Sequence, residues 1–425
     1  MLIDRKRGPK IKKITRLDIP PFHREILNNG IELIIINIGS QKLTQVEVLQ
    51  KGSRFLEKKK GVARATAKLL KEGSLNFSGS QIAETIDFYG ANISSAASLD
   101  YSYAKVFSLS RYLENVLPIL EEIIFRPLFS EDELVKYQKT NLEKLKLDQS
   151  KSEILAYKSV TEKIFGENHV YGYNSTEETY NDLTIEDLID YHKHNLSAEN
   201  TKIIMSGHVT DETIDSIKTM FSGVKPSNQV IKYTSPTTQY QGKSFHQTAN
   251  DDFQTSVKIG RRLFPRNHPD FNDLFITNTI LGGYFSSRLM NTIREQKGYT
   301  YNVYSSMDMM MFDGYFNIST EVGNEYVEDT IKTIYEEIEK LQNDLVSERE
   351  LDMVKNYLSG NFLNMIDGPF KLGGMAKVLA LNNLTNTFYQ NLMERIHTID
   401  KSTVLKMAQK YFDKKDMVQV VVGNY

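Results

Sequence analysis

Cysteine is missing altogether from these 425 residues. Disulfides, thiolate catalysis and Cys-ligated zinc or iron–sulfur centres are therefore excluded, whatever the compartment. An excess of either charge is missing too. The formal net charge is −2, which points to neither nucleic acid nor a bulk membrane surface. No apolar run reaches the length of a membrane span; the best candidate, Ile31–Ile38, is strand-length. The opening residues, MLIDRKRGPKIKK, are basic, but no apolar signal-type segment follows and the Ser-rich look of a transit peptide is absent. They read as a solvated tail or a partner-binding strap, and the chain as cytoplasmic. Neither a Gly-x4-Gly-Lys-Ser/Thr phosphate loop nor a Gly-x-Ser-x-Gly nucleophile elbow occurs. The eight histidines offer no metal pair. His192 and His194 are two apart, on different faces of a helix, and His23, His169, His208, His246, His268 and His397 are scattered.

What is present is an ordinary globular composition, 40% hydrophobic and 25% charged, long enough for about two to four domains. The chain also repeats itself. SEDELVKYQ from Ser130 and SERELDMVK from Ser347 both read as capping boxes, a Ser N-cap with Glu133 or Glu350 three residues on. Each follows an amphipathic helix, Leu113–Phe125 or Tyr326–Leu341. Each of those follows a strand pair: Ala91–Ser98 with Tyr101–Leu109, and Tyr299–Ser305 with Gly314–Thr320. Tyr101, Tyr103, Lys105 and Phe107 alternate onto one strand face. The ends match as well. Helices Thr184–His194 (with a Thr184/Asp187 cap) and Lys401–Phe412 run into strands that close at Gly207 and Gly423. The offsets Ser130 to Ser347 and Gly207 to Gly423 agree to one residue. The expected class is α+β: two tandem repeats, each a mostly antiparallel sheet covered by helices. The expected organisation is a basic arm over 1–20, a first repeat over 21–221, a Ser/Thr/Pro/Gly-rich linker over 222–243 and a second repeat over 244–425.

Three stretches carry a resemblance: GVARATAKLLKEGS, YHKHNLSAENTKIIMSGHV and LGGYFSSRLMNTIREQKGYTYNV. They resemble the pitrilysin/insulinase-like zinc metallopeptidases of the mitochondrial processing peptidase type, over nearly the whole chain. That family carries His-x-x-Glu-His on a helix and a further Glu downstream. The two His and the Glu hold Zn²⁺, and the inner Glu takes a proton from the metal-bound water. At those positions this chain has Arg64, Ala67, Lys68 and Lys144. Guanidinium and ammonium offer no lone pair at neutral pH, and a methyl accepts no proton. Glu143 would take the last place only with a register shift, and one carboxylate is not a zinc site. The resemblance thus implies the fold, a half-clamshell, without metal in this chain.

Arg64 and Lys68 read either as a solvated helix face or, with Lys144, as an anion pocket needing counter-charges such as Glu72. The resemblance also aligns Arg294 and Tyr301 with an Arg/Tyr pair that contacts substrate or the oxyanion, Arg294 on a helix end and Tyr301 on the next strand. Apart from the resemblance, they read as a helix-end salt bridge and a rim tyrosine. Gly282 and Gly283 fit a peptide-contacting loop or a helix C-cap. Gly368, Gly373 and Gly374 read as breakers in a helix connection. The implied function is the zinc-less subunit of a heterodimer, with zinc and His-x-x-Glu-His on the partner, around a peptide or unfolded polypeptide. An edge-strand addition of the peptide near the partner's site is expected. The isolated chain is expected to be able to form a homodimer. The competing readings are a stand-alone scaffold or peptide-binding protein and a hydrolase with an unrecognised site.

Overall fold

In the computed structural model, residues 19–20, 22–227, 231–236, 240–249 and 254–425 are described; most of the basic arm lies outside them. The first repeat contains β1 (His23–Ile26), β2 (Glu32–Asn37), β3 (Leu43–Lys51), α1 (Val62–Leu69), α2 (Gly79–Phe88), β4 (Asn92–Ala97), β5 (Tyr101–Leu109), α3 (Leu113–Phe125), α4 (Glu131–Asp148), α5 (Ser152–Phe165), α6 (Glu177–Asn181), α7 (Ile185–Asn195), β6 (Thr201–Gly207) and α8 (Asp211–Phe221). The second contains β7 (Ser244–Gln247), β8 (Gln254–Arg262), α9 (Phe271–Gly282), β9 (Val303–Met309), β10 (Gly314–Gly323), α10 (Val327–Asn343), α11 (Glu348–Met365), α12 (Pro369–Leu381), α13 (Phe388–Thr398), α14 (Lys401–Tyr411) and β11 (Val418–Val422). The sheets run β1-β2-β6-β3-β5-β4 and β7-β11-β8-β10-β9. Without β1, the orders are the same. In both, the first strand of the shared order lies parallel to the last strand in sequence, and the remaining pairs are antiparallel. The α+β repeat architecture is therefore as the sequence implied.

The strand β2 shows why the apolar run at Ile31–Ile38 is continuous. Leu33 and Ile35 enter a core with α1, α3, α4 and α7, while Ile34 and Ile36 enter another with Leu372, Met375 and Leu379 of α12. A strand covered on both faces has no polar alternate positions. The covering helix comes from the other repeat. In exchange, Ala156, Val160 and Ile164 of α5 pack on Val418, Val420 and Tyr315 of the second sheet. The helices α5 and α12 each follow the helix begun at Ser130 or Ser347, so they are equivalent elements traded between halves. Each buried Val, Leu or Ile contributes about 1.5–3 kcal/mol, so the exchange ties the repeats together through core contacts. Gly373, read from sequence as part of a connection, lies inside α12. A Cβ there would meet Ser206 Oγ at 2.5 Å, so glycine is what lets the helix reach β6.

Other boundaries shift. The strand expected at Tyr299–Ser305 begins only at Val303. Thr300 Oγ1 donates to Glu321 O (2.7 Å) and Thr320 Oγ1 to Asn302 O (3.0 Å), so side chains hold the backbone that a ladder would need. Ser130 and Ser347 do cap α4 and α11, accepting from Glu133 and Glu350 N–H. The reciprocal glutamates go elsewhere: Glu133 pairs with Lys136 and Glu350 with Arg288. Only Thr184/Asp187 of these three forms a complete box. Described parts of the linker are packed down. The Tyr233 ring stacks on Phe312 (5.4 Å), Phe55 reaches both Tyr171 and Phe312, and Asp100 accepts from Tyr171 O–H and Met311 N–H.

Candidate functional site

The helix α1 is an apolar plug with a narrow charged stripe. Val62, Ala63, Ala65, Thr66, Ala67 and Leu69 are buried, while Arg64 and Lys68 are exposed. The helix packs between β4, β5, α4 and α7. Its N-terminus is capped from afar: Glu57, half-buried and shared with Tyr173 O–H, accepts Ala63 N–H at 3.0 Å. Burial pushes the Glu57 carboxyl up, while the positive end of the helix favours its charged form. The α4 helix runs alongside, and the Arg64 charge acts on the buried Tyr137 hydroxyl. Lys144 is exposed, seven residues beyond Tyr137 and on the same helix face. Arg64, Lys68 and Lys144 have neither an ion pair nor a hydrogen bond among the described residues. Glu72 makes no ion pair with them; its charge acts on Lys136. No group of three His, Cys, Asp or Glu able to hold a metal occurs among the described residues.

The second repeat builds a different site. Residues Met290–Gln296 form a stretch of π-helix, a rare form frequent at functional sites. It ends at Gly298 (φ 70°), where Gly298 and Tyr299 N–H donate to Arg294 O and Ile293 O at 3.0 and 3.1 Å. Tyr299 then stacks on Tyr326 at 4.3 Å. This turn places Arg294 and Tyr301 on one open cleft of about 640 Å³. Arg294 lies 4.8 Å over the Phe285 ring and 3.6 Å from Glu295. Tyr301 is 90% exposed and precedes β9 rather than lying on it. Gly282 is the last residue of α9 and Gly283 its cap. A Cβ on Gly282 would strike Ser305 N at 2.5 Å, so close packing on β9 accounts for it.

Three charged residues of the cleft region were not anticipated. Glu153 arrives from the first repeat on α5, and Glu321 stands on β10. Lys258 lies beneath, 2% exposed, donating to Ser319 Oγ with Glu153 Oε1 at 3.6 Å. Burial holds the Lys258 ammonium below its ordinary pKa, against Glu153 and Glu321. A lysine inside the apolar run of TSVKIG was the available sequence signal for Lys258. Glu153 had none, because its neighbour is set by helix exchange. Among the histidines, His192 faces Ile124 O and His194 pairs with Asp190, as their separate faces require.

The two-repeat α+β architecture, two sheets of the same strand order covered by helices, defines a metallopeptidase-like protein. Two family signatures match it, "Insulinase (Peptidase family M16)" over residues 41–173 and "Peptidase M16 inactive domain" over 182–358. The chain belongs to peptidase family M16, the insulinase family. An uncharacterized zinc protease of Bacillus subtilis is 24% identical over 80% of this chain and 83% of its own length. The beta subunit of the mouse mitochondrial-processing peptidase is 22% identical over 99% of this chain and 88% of its own. The crystal structure of a peptidase M16 inactive domain from Pseudomonas fluorescens superposes with TM-score 0.86 at 22% identity, covering 95% and 98% of the two chains. Relatives are named for zinc, but the donor set here does not fit that ion: two cations and a methyl stand on α1 and a third cation on α4.

Proposed function

We propose that this chain is the zinc-less subunit of a heterodimeric M16 peptidase, lending Arg294, Tyr301 and half of a peptide chamber to a His-x-x-Glu-His subunit. The observation that carries the reading is the asymmetry between repeats. In the first, Arg64, Lys68 and Lys144 stand where the resemblance puts metal ligands, while Arg294 and Tyr301 of the second share one open cleft. The partner's zinc supplies the activated water. The task of this chain is to donate hydrogen bonds from the Arg294 guanidinium and the Tyr301 hydroxyl to the peptide carbonyl as charge develops on its oxygen. The exposure of Tyr301 suits a group completed by another subunit or a substrate.

The test is hydrolysis of an unfolded polypeptide by the chain alone, by a zinc-bearing M16 subunit alone and by the mixture. Cleavage should appear on mixing, and Arg294→Ala or Tyr301→Phe should lower kcat by about 10²-fold without dissociating the pair. An assembled but inert mixture would select the scaffold reading. Zinc and activity in the isolated chain would refute the assignment.

A further inference from the structure

The segment from Arg288 to Lys297 carries three cations, and one of them is held differently from the others. Arg288 spends two guanidinium N–H groups on Glu350, at 2.8 and 2.9 Å. Lys297 donates to Asp329 and to Thr333 Oγ1. Arg294 donates no side-chain hydrogen bond among the described residues. Its carboxylate neighbour, Glu295, stands 3.6 Å from Nε, an ion pair too long for a hydrogen bond. The contact that fixes the guanidinium is the Phe285 ring, over which its central carbon lies 4.8 Å from the centroid. The loop is built to present that ring. Ser287 N–H donates to Tyr284 O at 3.0 Å, closing a turn with Phe285 in its middle. Tyr284 packs on Tyr357 of α11 at 5.0 Å and anchors the turn, while Phe285, 62% exposed, goes to Arg294.

A donor aimed at a developing oxyanion has two conflicting needs. It must be held in place beforehand, and its N–H groups must stay unspent. A carboxylate partner, as at Arg288, meets the first need by defeating the second. A ring face meets both, because its quadrupole attracts the guanidinium and it offers the N–H groups no lone pair. We propose that Phe285 is the positioning residue of Arg294, keeping the guanidinium at the cleft with its donors open to the peptide carbonyl. This rests on the reading above, in which Arg294 meets that carbonyl.

Two measurements test it, the first on the isolated chain and without hydrolysis. The Arg294 side-chain NMR signals, assigned by their loss in Arg294→Lys, should be displaced upfield by the ring current. Phe285→Leu should abolish that displacement and Phe285→Trp should keep it. The second is the kinetics of the mixture with a zinc-bearing M16 subunit on an unfolded polypeptide. Phe285→Leu should lower kcat about two- to fivefold with KM unchanged, the worth of an exposed cation–π contact. Phe285→Trp should restore the rate, and in an Arg294→Ala background Phe285→Leu should change nothing further. Absence of the upfield displacement overturns the proposal, whatever the activity. So does a Phe285→Leu variant that raises KM alone, which would make the ring a substrate contact, or one whose effect is the same with and without the Arg294 side chain. An inert wild-type mixture takes down the reading above and this proposal with it. An active mixture indifferent to Phe285→Leu takes down this proposal alone, so the two failures are told apart.

Discussion

His192 on α7 carries a measurable consequence of burial at the scale of one residue. Its Nε2 faces Ile124 O at 2.9 Å, its ring meets Phe129 edge-on, and burial pulls its pKa down to about 4. Between that value and the ordinary one, the unfolded chain binds the proton and the fold does not. The stabilisation is therefore complete above about pH 6.5, and is lost as pH falls towards 4, a change of about 3 kcal/mol. Urea midpoints measured from pH 7 to 4 should fall in the wild type, and His192→Gln should flatten that slope while lowering the plateau. Arg294 and Tyr301 should behave in the opposite way. With one half-exposed and the other almost wholly so, their truncation should move Tm by under about 1 °C, through a stability change within about 0.5 kcal/mol. A larger loss would place their role in the fold. Neither behaviour is written in the residue types. His192 becomes special through a carbonyl on another helix, and Tyr301 through a glycine turn that ends a π-helix.

At the scale of elements, periodicity and capping signals placed most of the first repeat. Strand β5 and helix α3 run between the residues expected, Leu113–Phe125 for the latter, because local pattern and burial agree there. Two features were not legible. The late start of β9 reflects threonine hydroxyls that compete for the backbone, and Gly373 acts through a strand far away in sequence. Gly373→Ala should cost about 1–3 kcal/mol by overpacking on Ser206, and Ser206→Gly in the same chain should return most of it, a coupling that urea unfolding of all four members of the cycle measures. The α1 helix provides a second test. If its seat beside α4 retains the inherited geometry, Arg64→His, Lys68→His and Lys144→Glu together should bind about one zinc ion per chain after dialysis, against none for the wild type. Metal analysis reads this directly, whatever happens to activity. A variant that folds and holds no zinc would mean that α1 and α4 have drifted apart, and that the cations occupy a different space from the one donors would need.

For the whole molecule, the exchange of α5 and α12 decides how the halves can behave. A tandem repeat with a linker reads from sequence as two bodies on a tether, because the helix that covers each sheet is encoded with the other half and periodicity does not say which sheet it covers. The structure instead places Val160 and Ile164 on β11 and Leu372 and Met375 on β2. Two further contacts cross the boundary: Lys377 Nζ meets Glu47 at 3.0 Å, and Lys258 meets Glu153 at 3.6 Å. Both are partly or wholly buried, and such pairs fix partner and register more than they add net stability. A protease site engineered into the 222–243 linker should therefore yield a nicked chain that stays whole in size-exclusion chromatography. It should unfold in a single calorimetric transition, since neither sheet has both faces covered without the other half. Separate elution of two folded fragments would show that each half supplies its own core, and would leave the exchanged helices as surface decoration. Cohesion after nicking would mean instead that opening of the peptide chamber takes place between subunits, not between the repeats of one chain.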